Sequence, residues 1–364
     1  MAQPWLPRTV PLTAADRVDV NALATFLRDA GVDTNGVDLK VSRFPGGHSN
    51  LTYLVQAGPR RLVIRAPPPG AHTVSGHDMV REHRLLQALR PHYHKVPSTI
   101  AVCIDAATSP LGTPFYAMEA VAGRVLRHKV PDDVSLDPET MTKLSTTLVD
   151  ELAILHGVDV AGAGLADLGR PEGYVQRQVD GWCARYDKAR TDDVSDLDAI
   201  MIWLKHHVPG RSSGPPTVVH NDFKLDNLVL ADDDVTRIRA VLDWELCTIG
   251  EPLTDLGTTL AYWVQGDDDD SVKSLPMGLT WLPGTLSRLE VVRRWEERTG
   301  RSAHDVLFYY VLASFKVAVI AQQIHARYVR GFTTDERFAL LGLAVAIIGA
   351  RTCRALEAGR IDVA

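Results

Sequence analysis

The sequence predicts an α+β chain in two parts: a strand-rich part over residues 1–119 and a larger, mostly helical part over 120–364. Three observations carry this. Residues 39–66 alternate apolar and polar positions in short runs broken by glycine, the period of half-buried strands. From Pro138 onward apolar residues recur three and four apart over long segments, the period of helices with one buried face. Between the aliphatic runs ending at Val219 and starting at Leu228 lies the polar loop His220-Asn221-Asp222-Phe223-Lys224-Leu225-Asp226-Asn227, a loop gripped by buried strands, where chemistry-bearing side chains are commonly carried.

In chain order, Val20 to Ala30 reads as a short amphipathic helix with Gly31 as its cap, packed on the edge of the first part. Leu39 to Phe44 is a strand, Pro45-Gly46-Gly47-His48-Ser49-Asn50 a turn, and Leu51 to Val55 the returning strand of a hairpin. Two glycines suit any turn. In this position a loop free of side-chain bulk also lets the backbone amides of His48, Ser49 and Asn50 approach phosphate oxygens. Arg61 to Pro67 is a strand stopped by prolines. Asp78 to Leu89 is a helix whose buried stripe is Met79, Leu85, Leu86 and Leu89, and Glu82 on it is either a solvated acid or the partner of Arg65. Phe115 to Gly123 is a buried strand running out into Ala-Gly.

The second part predicts helices over Thr140–His156, Tyr174–Lys188 and Leu197–His207, then a breaking loop at 211–216. Ile238 to Leu242 is a strand delivering Asp243, Trp244 and Glu245, with Glu245 on the same side as Asp243 by period two. A loop and a helix through Trp263 follow. Asp267 to Asp270 is expected to be a solvated acidic loop. Helices over Leu286–Thr299, Ala303–Arg330 and Thr334–Ala358 close the chain. The apolar run Phe338–Ala350 is short for a bilayer and is expected as a core helix.

Of the 364 residues 45% are hydrophobic, enough for a sizeable core in two lobes, and the net charge of -6 gives no reason to expect nucleic acid or a membrane surface as partner. Cys103, Cys183, Cys247 and Cys353 are scattered without zinc-ligand spacing and read as reduced thiols. The first ten residues lack the apolar stretch of a signal peptide, so a cytoplasmic monomer or homodimer is expected.

Asp222 offers an acceptor for a hydroxyl proton, Asn227 a neutral oxygen ligand and Asp243 an anionic one. That set suffices to transfer a phosphoryl group from a magnesium nucleotide to an alcohol. The spacing His220-x-Asp222-x-x-x-x-Asn227, followed by a strand ending in Asp243, resembles the catalytic and metal-binding loops of the protein-kinase-like fold. The wording His-Asn-Asp-Phe-Lys-Leu-Asp-Asn and Asp-Trp-Glu is similar to the aminoglycoside phosphotransferase and choline kinase branch, and most to kinase-like domains found alone in bacteria or fused to acyl-CoA dehydrogenases. The likeness runs from about Phe44 to beyond Asp255.

The resemblance implies a bilobal protein-kinase-like fold, with a small antiparallel sheet and one main helix in the first lobe. It implies ATP and Mg²⁺ as cofactors, with phosphates under Gly46, Gly47, His48, Ser49 and Asn50, and a linker between lobes after Phe115 where main-chain groups near Glu119 and Val121 would read adenine. Arg65 stands where kinases carry a lysine for the α and β phosphates, paired with Glu82; an arginine fork grips phosphate but is bulkier. Asn227 and Asp243 would hold the metal, helped through water by Glu245, and Asp222 would be the catalytic base. Lys224 is either a surface lysine or a γ-phosphate contact. His220 and Asp255 would pin the loop. Arg177, Trp182, Tyr186, Tyr262, Trp263, Gln323 and Arg327 are candidates for the acceptor pocket, although aromatics at helical spacing are more often core. The expected activity is phosphorylation of a small-molecule hydroxyl, in a hydroxylated acyl or acyl-CoA compound; an aminoglycoside acceptor and a catalytically silent nucleotide-binding module are the rivals.

Overall fold

The computed structural model describes residues 6–33, 36, 38–45, 50–68, 78–191 and 194–363. In chain order the elements are β1 (Val10–Pro11), α1 (Val20–Asp29), β2 (Lys40–Arg43), β3 (Leu51–Ala57), β4 (Arg60–Ala66), α2 (Met79–Leu89), β5 (Thr99–Cys103) and β6 (Phe115–Glu119). Then come α3 (Pro138–His156), α4 (Tyr174–Ala189), α5 (Ser195–His206), β7 (Thr217–Val219), β8 (Leu228–Leu230), β9 (Ile238–Val241), β10 (Thr248–Gly250), α6 (Pro252–Tyr262), α7 (Asp270–Lys273), α8 (Arg288–Thr299), α9 (Val306–Val329) and α10 (Leu341–Ala358).

The chain divides into two compact units. The first takes residues 1–125, 161–165 and 228–246, so the strand pair that precedes Asp243 belongs to it and not to the helical part. Its sheet has the order β1-β2-β3-β4-β6-β5, every pair antiparallel. On β3 and β4 the buried residues alternate strictly, Tyr53-Val55-Ala57 and Leu62-Ile64-Ala66, as the period of the strand requires. Leu23 and Leu27 of α1 complete that core with Phe115. The Asp78 carboxylate accepts from the Arg81 amide at 2.9 Å and caps α2, whose buried face includes Met79, Leu85, Leu86, Leu89 and also Glu82.

The second unit takes residues 126–160, 166–227 and 247–364. Three of its helices start where acid or hydroxyl side chains meet the first free amides: Asp137 before Pro138 for α3, Glu251 before Pro252 for α6, and a Ser287–Glu290 capping box for α8. The helix α9 is buried along most of its length, from Phe308 to Val319 without a break.

Three expectations are corrected. The last helix starts at Leu341 and not Thr334, because Asp335 accepts from the Arg337 amide and caps a separate turn over Glu336–Phe338. The apolar run in it is only partly core: Val345 and Ile348 are buried, whereas Leu340 and Leu343 are exposed. By length and composition two helices pass for membrane spans, α9 with 78% of its apolar window buried and Glu336–Ala358 with 33%. Within the acidic run, Asp268 is fully buried against the Arg288 guanidinium and accepts from the Gln265 amide, so only its neighbours are solvated.

Candidate active site

In the second unit the loop after β7 is fixed from below by a single carboxylate. Strand β7 pairs with β10, and the chain then enters α6, which carries Asp255. Asp255 Oδ2 accepts from the His220 amide and Oδ1 from the Asn221 amide, both at 2.6 Å. His156 Nε2 lies 3.3 Å from Oδ2, and its other ring nitrogen is held by the Trp295 indole at 3.0 Å. Burial opposes the charge on Asp255, yet the His156 and His220 bonds outweigh it and hold the carboxyl below the usual carboxylate range. The His220 ring, fully buried, accepts from the Asp222 amide through Nδ1 at 3.2 Å, and the Thr259 hydroxyl donates to the Phe223 carbonyl at 2.7 Å. His220 and Asp255 therefore pin the loop, as the resemblance implies.

Asn221 sits at φ 65°, the left-handed region that a side chain rarely adopts. Such a conformation persists only where surroundings over-determine it. Here the Tyr174 hydroxyl donates to Asn221 Oδ1 at 3.0 Å and the Lys316 ammonium donates to its carbonyl. The turn aims Asp222 outward. Lys224 Nζ is 3.1 Å from Asp222 Oδ2, and the Asn227 amide donates to the same oxygen and to the Asp222 carbonyl, each at 2.8 Å. Among the described residues Asp222 Oδ1 has no partner. Burial works against the charge on Lys224, but Tyr262, Asp222 and Asp226 outweigh it and hold the ammonium above its ordinary value. It lies 4.2 Å from the centre of the Tyr262 ring. Lys224 is thus no surface lysine.

In the first unit the candidate residues converge on Arg65 of β4. One of its guanidinium nitrogens, Nη2, lies 2.9 Å from both Asp243 Oδ1 and Glu245 Oε2, while Nε is 3.6 Å from Glu82 Oε1. Glu82 is therefore the buried partner of Arg65 and not a solvated acid. Burial pushes the Glu82 carboxyl above its usual range in spite of the arginine beside it. Asn50 Nδ2 donates to Glu245 Oε2 at 2.6 Å. Period two does not relate Asp243 to Glu245: β9 ends at Val241, Asp243 turns at φ 69°, and Glu245 lies in a short 3-10 turn over Trp244–Leu246. Glu245 belongs to the arginine cluster. Gly46, Gly47, His48 and Ser49 lie outside the described residues.

At the end of β6 the amides of Glu119 and Ala120 donate to the carbonyls of Ser98 and Arg61, and the Glu119 side chain pairs with Arg60. The Val121 amide has no acceptor among the described residues. Gly123, at φ 146°, lies so close to β8 that a Cβ there would meet the Leu230 carbonyl at 2.2 Å.

For magnesium the donor chemistry fits within each unit. The Asn227 amide nitrogen is tied to Asp222, which turns its oxygen away and leaves it for a cation, and Asp243 keeps Oδ2 clear of Arg65 with the side chain 37% exposed. Each oxygen, taken by itself, is of the kind that magnesium binds.

A small pocket of about 20 Å³, partly open to solvent, lies in the second unit and is lined by Gln178, Trp182, Asn221, Thr258, Tyr309 and Lys316 among others. Of the aromatic and polar residues expected to line an acceptor pocket, only Trp182 does. Tyr186 is buried on Phe315, the Trp263 indole donates to the Leu286 carbonyl, Tyr262 lies under Lys224, and Arg177 holds the carbonyls of Arg170 and Glu172. Gln323 and Arg327 are absent from the lining. Lys316 was invisible to sequence reasoning, a cation set among the apolar residues of α9.

Residues 40–289 match the phosphotransferase enzyme family. Acyl-CoA dehydrogenase family member 11 of Rattus norvegicus is 32% identical over 341 residues, covering 90% of this chain and 42% of that protein. The chain thus spans less than half the length of this relative. A solved structure from Ralstonia eutropha, provisionally named an aminoglycoside phosphotransferase, shares 30% identity with a TM-score of 0.75 over 93% of this chain and 99% of its own. Choline kinase from Cryptosporidium parvum superposes with a TM-score of 0.63 at 13% identity, over 94% of this chain and 97% of its own, and shares the fold. With its family match spanning the loop of Asp222 and the arginine cluster alike, the chain belongs to the phosphotransferase enzyme family, on the small-molecule branch of the kinase-like fold.

Proposed function

We propose that the chain is an ATP- and magnesium-dependent kinase that moves the γ-phosphoryl group to a hydroxyl of a small molecule. The observation that carries this is the state of Asp222: Oδ2 is held by Lys224 and Asn227, and Oδ1 is open. An alcohol is a weak nucleophile, and the transition state of phosphoryl transfer is loose, so alignment matters more than basicity. Asp222 Oδ1 accepts the hydroxyl hydrogen and orients the oxygen lone pair toward phosphorus. As the new P–O bond forms and the bond to ADP breaks, the proton passes to Asp222. Lys224, charged at neutral pH, stands beside the transferring group. Asn227 and Asp243 would hold magnesium, which neutralises the phosphate charge when bound.

For the acceptor, the relatives named as acyl-CoA dehydrogenase family members support a hydroxylated acyl or acyl-CoA compound. The test is ADP release across hydroxylated acids, acyl-CoA thioesters, choline and aminoglycosides. Release that depends on a hydroxylated acyl acceptor is expected. Release only with aminoglycosides would overturn the acceptor, and no release with any of them would overturn the kinase reading.

A further inference from the structure

Lys316 is a cation in an apolar setting. It stands midway along α9, 8% exposed, between the buried residues Phe315 and Val317. Taking an ammonium out of water is costly unless it is paired, and its ordinary partner is a carboxylate. Among the described residues its only polar partner is the Asn221 carbonyl, which takes one of three N–H donors.

The nearby acids offset this charge only in part and make no direct bond to it among the described residues. Asp255 has both oxygens on the His220 and Asn221 amides, with His156 alongside, and Asp222 Oδ2 is shared by Lys224 and Asn227. Burial pushes the Lys316 ammonium below its ordinary value despite these two acids, as it does when compensation is incomplete.

The pocket that Lys316 lines contains no carboxylate. The Thr254 and Thr258 hydroxyls on its wall donate to backbone carbonyls, at 2.6 and 2.8 Å, so they leave the ammonium without competition. Trp182, Tyr309 and Leu312 give the rest of the wall an apolar character suited to a short aliphatic chain. The carbonyl that Lys316 holds belongs to Asn221, the residue immediately before Asp222, so a group seated on this lysine is set one peptide from the proposed base.

We propose that this pocket receives a carboxylate on Lys316, and that the acceptor is a small hydroxylated acid bound by its free acid end with its hydroxyl toward Asp222. The fate of that hydroxyl rests on the kinase reading; the anion site does not. A polycation meets here a positive charge on a wall that carries no carboxylate.

Two measurements separate the claims. Calorimetric binding of sodium butanoate, which has no hydroxyl, reads the lysine alone. The wild type should bind it, and Lys316→Met should bind at least about tenfold more weakly, the loss typical of a charged hydrogen bond. Gln178→Glu, half-buried on the wall, tests the same field without touching the helix core and should weaken binding in the same direction. Equal binding by all three proteins, or none by the wild type, overturns the proposal.

ADP release with 4-hydroxybutanoate against 1,4-butanediol then reads the acceptor. In Lys316→Met the KM for the acid should rise at least tenfold more than that for the diol, since losing the bond to the Asn221 carbonyl touches both acceptors alike. Equal losses for both would overturn the carboxylate contact. Carboxylate binding that depends on Lys316 without ADP release from any acceptor would leave the anion site standing and remove the kinase reading.

Discussion

Asp222 is held at one oxygen and open at the other, and this division of one carboxylate is where a residue-scale experiment bites. Asp222→Ala should lower phosphate transfer by about 10²- to 10⁴-fold, the usual contribution of a positioned base, while nucleotide affinity measured by calorimetry stays within about twofold. Turnover at the wild-type rate would remove Asp222 from the mechanism. Asp222 and Asn227 were legible in the sequence because their spacing lies inside one short loop, whereas the Arg65–Glu82 pair, split between β4 and α2, was suggested only by the resemblance. Lys316 was not: its partner is 95 positions away, and nothing in the periodicity of α9 distinguishes a buried cation from a solvated one. Glu245 was misjudged for a third reason, since the left-handed turn at Asp243 cancels the alternation on which the inference stood.

At the scale of elements, α6 does two jobs: its first turn supplies Asp255 and its middle packs on α9. Gly257 lies so near α9 that a Cβ would meet the Tyr309 carbonyl at 2.4 Å. Gly257→Ala should destabilise by about 3 kcal/mol, the upper end of overpacking since backbone must yield, as read by urea unfolding. A loss under 0.5 kcal/mol would mean that the helices part easily. Asp255 makes the same junction depend on pH. Its folded carboxyl titrates below the unfolded value of 3.8, so the unfolded chain takes the proton first. The stabilisation is fully present above about pH 5 and disappears as pH falls through the folded value. Asp255→Asn should cost about 3 kcal/mol at pH 7 and flatten the acid limb of a stability profile taken between pH 3 and 7; a parallel profile would contradict it. Most helices were readable from period and caps. The boundaries failed where a side chain acted at a distance, as when Arg288 drew Asp268 out of an acidic run.

On the whole-molecule scale, composition and motif order were enough for the family and the α+β class, but not for the path of the chain. A single cut near residue 119 misses that residues 228–246 return to the first unit, because assignment to a unit follows from strand partners remote in sequence. Within that unit one guanidinium faces Asp243, Glu245 and Glu82, so acid outnumbers base around Arg65. An imbalance of this sign makes folding itself a sensor of divalent cations. Differential scanning calorimetry should show the wild-type melting temperature climbing with added MgCl₂, and Asp243→Asn should blunt that climb, because any ion held only by the native state displaces the unfolding equilibrium.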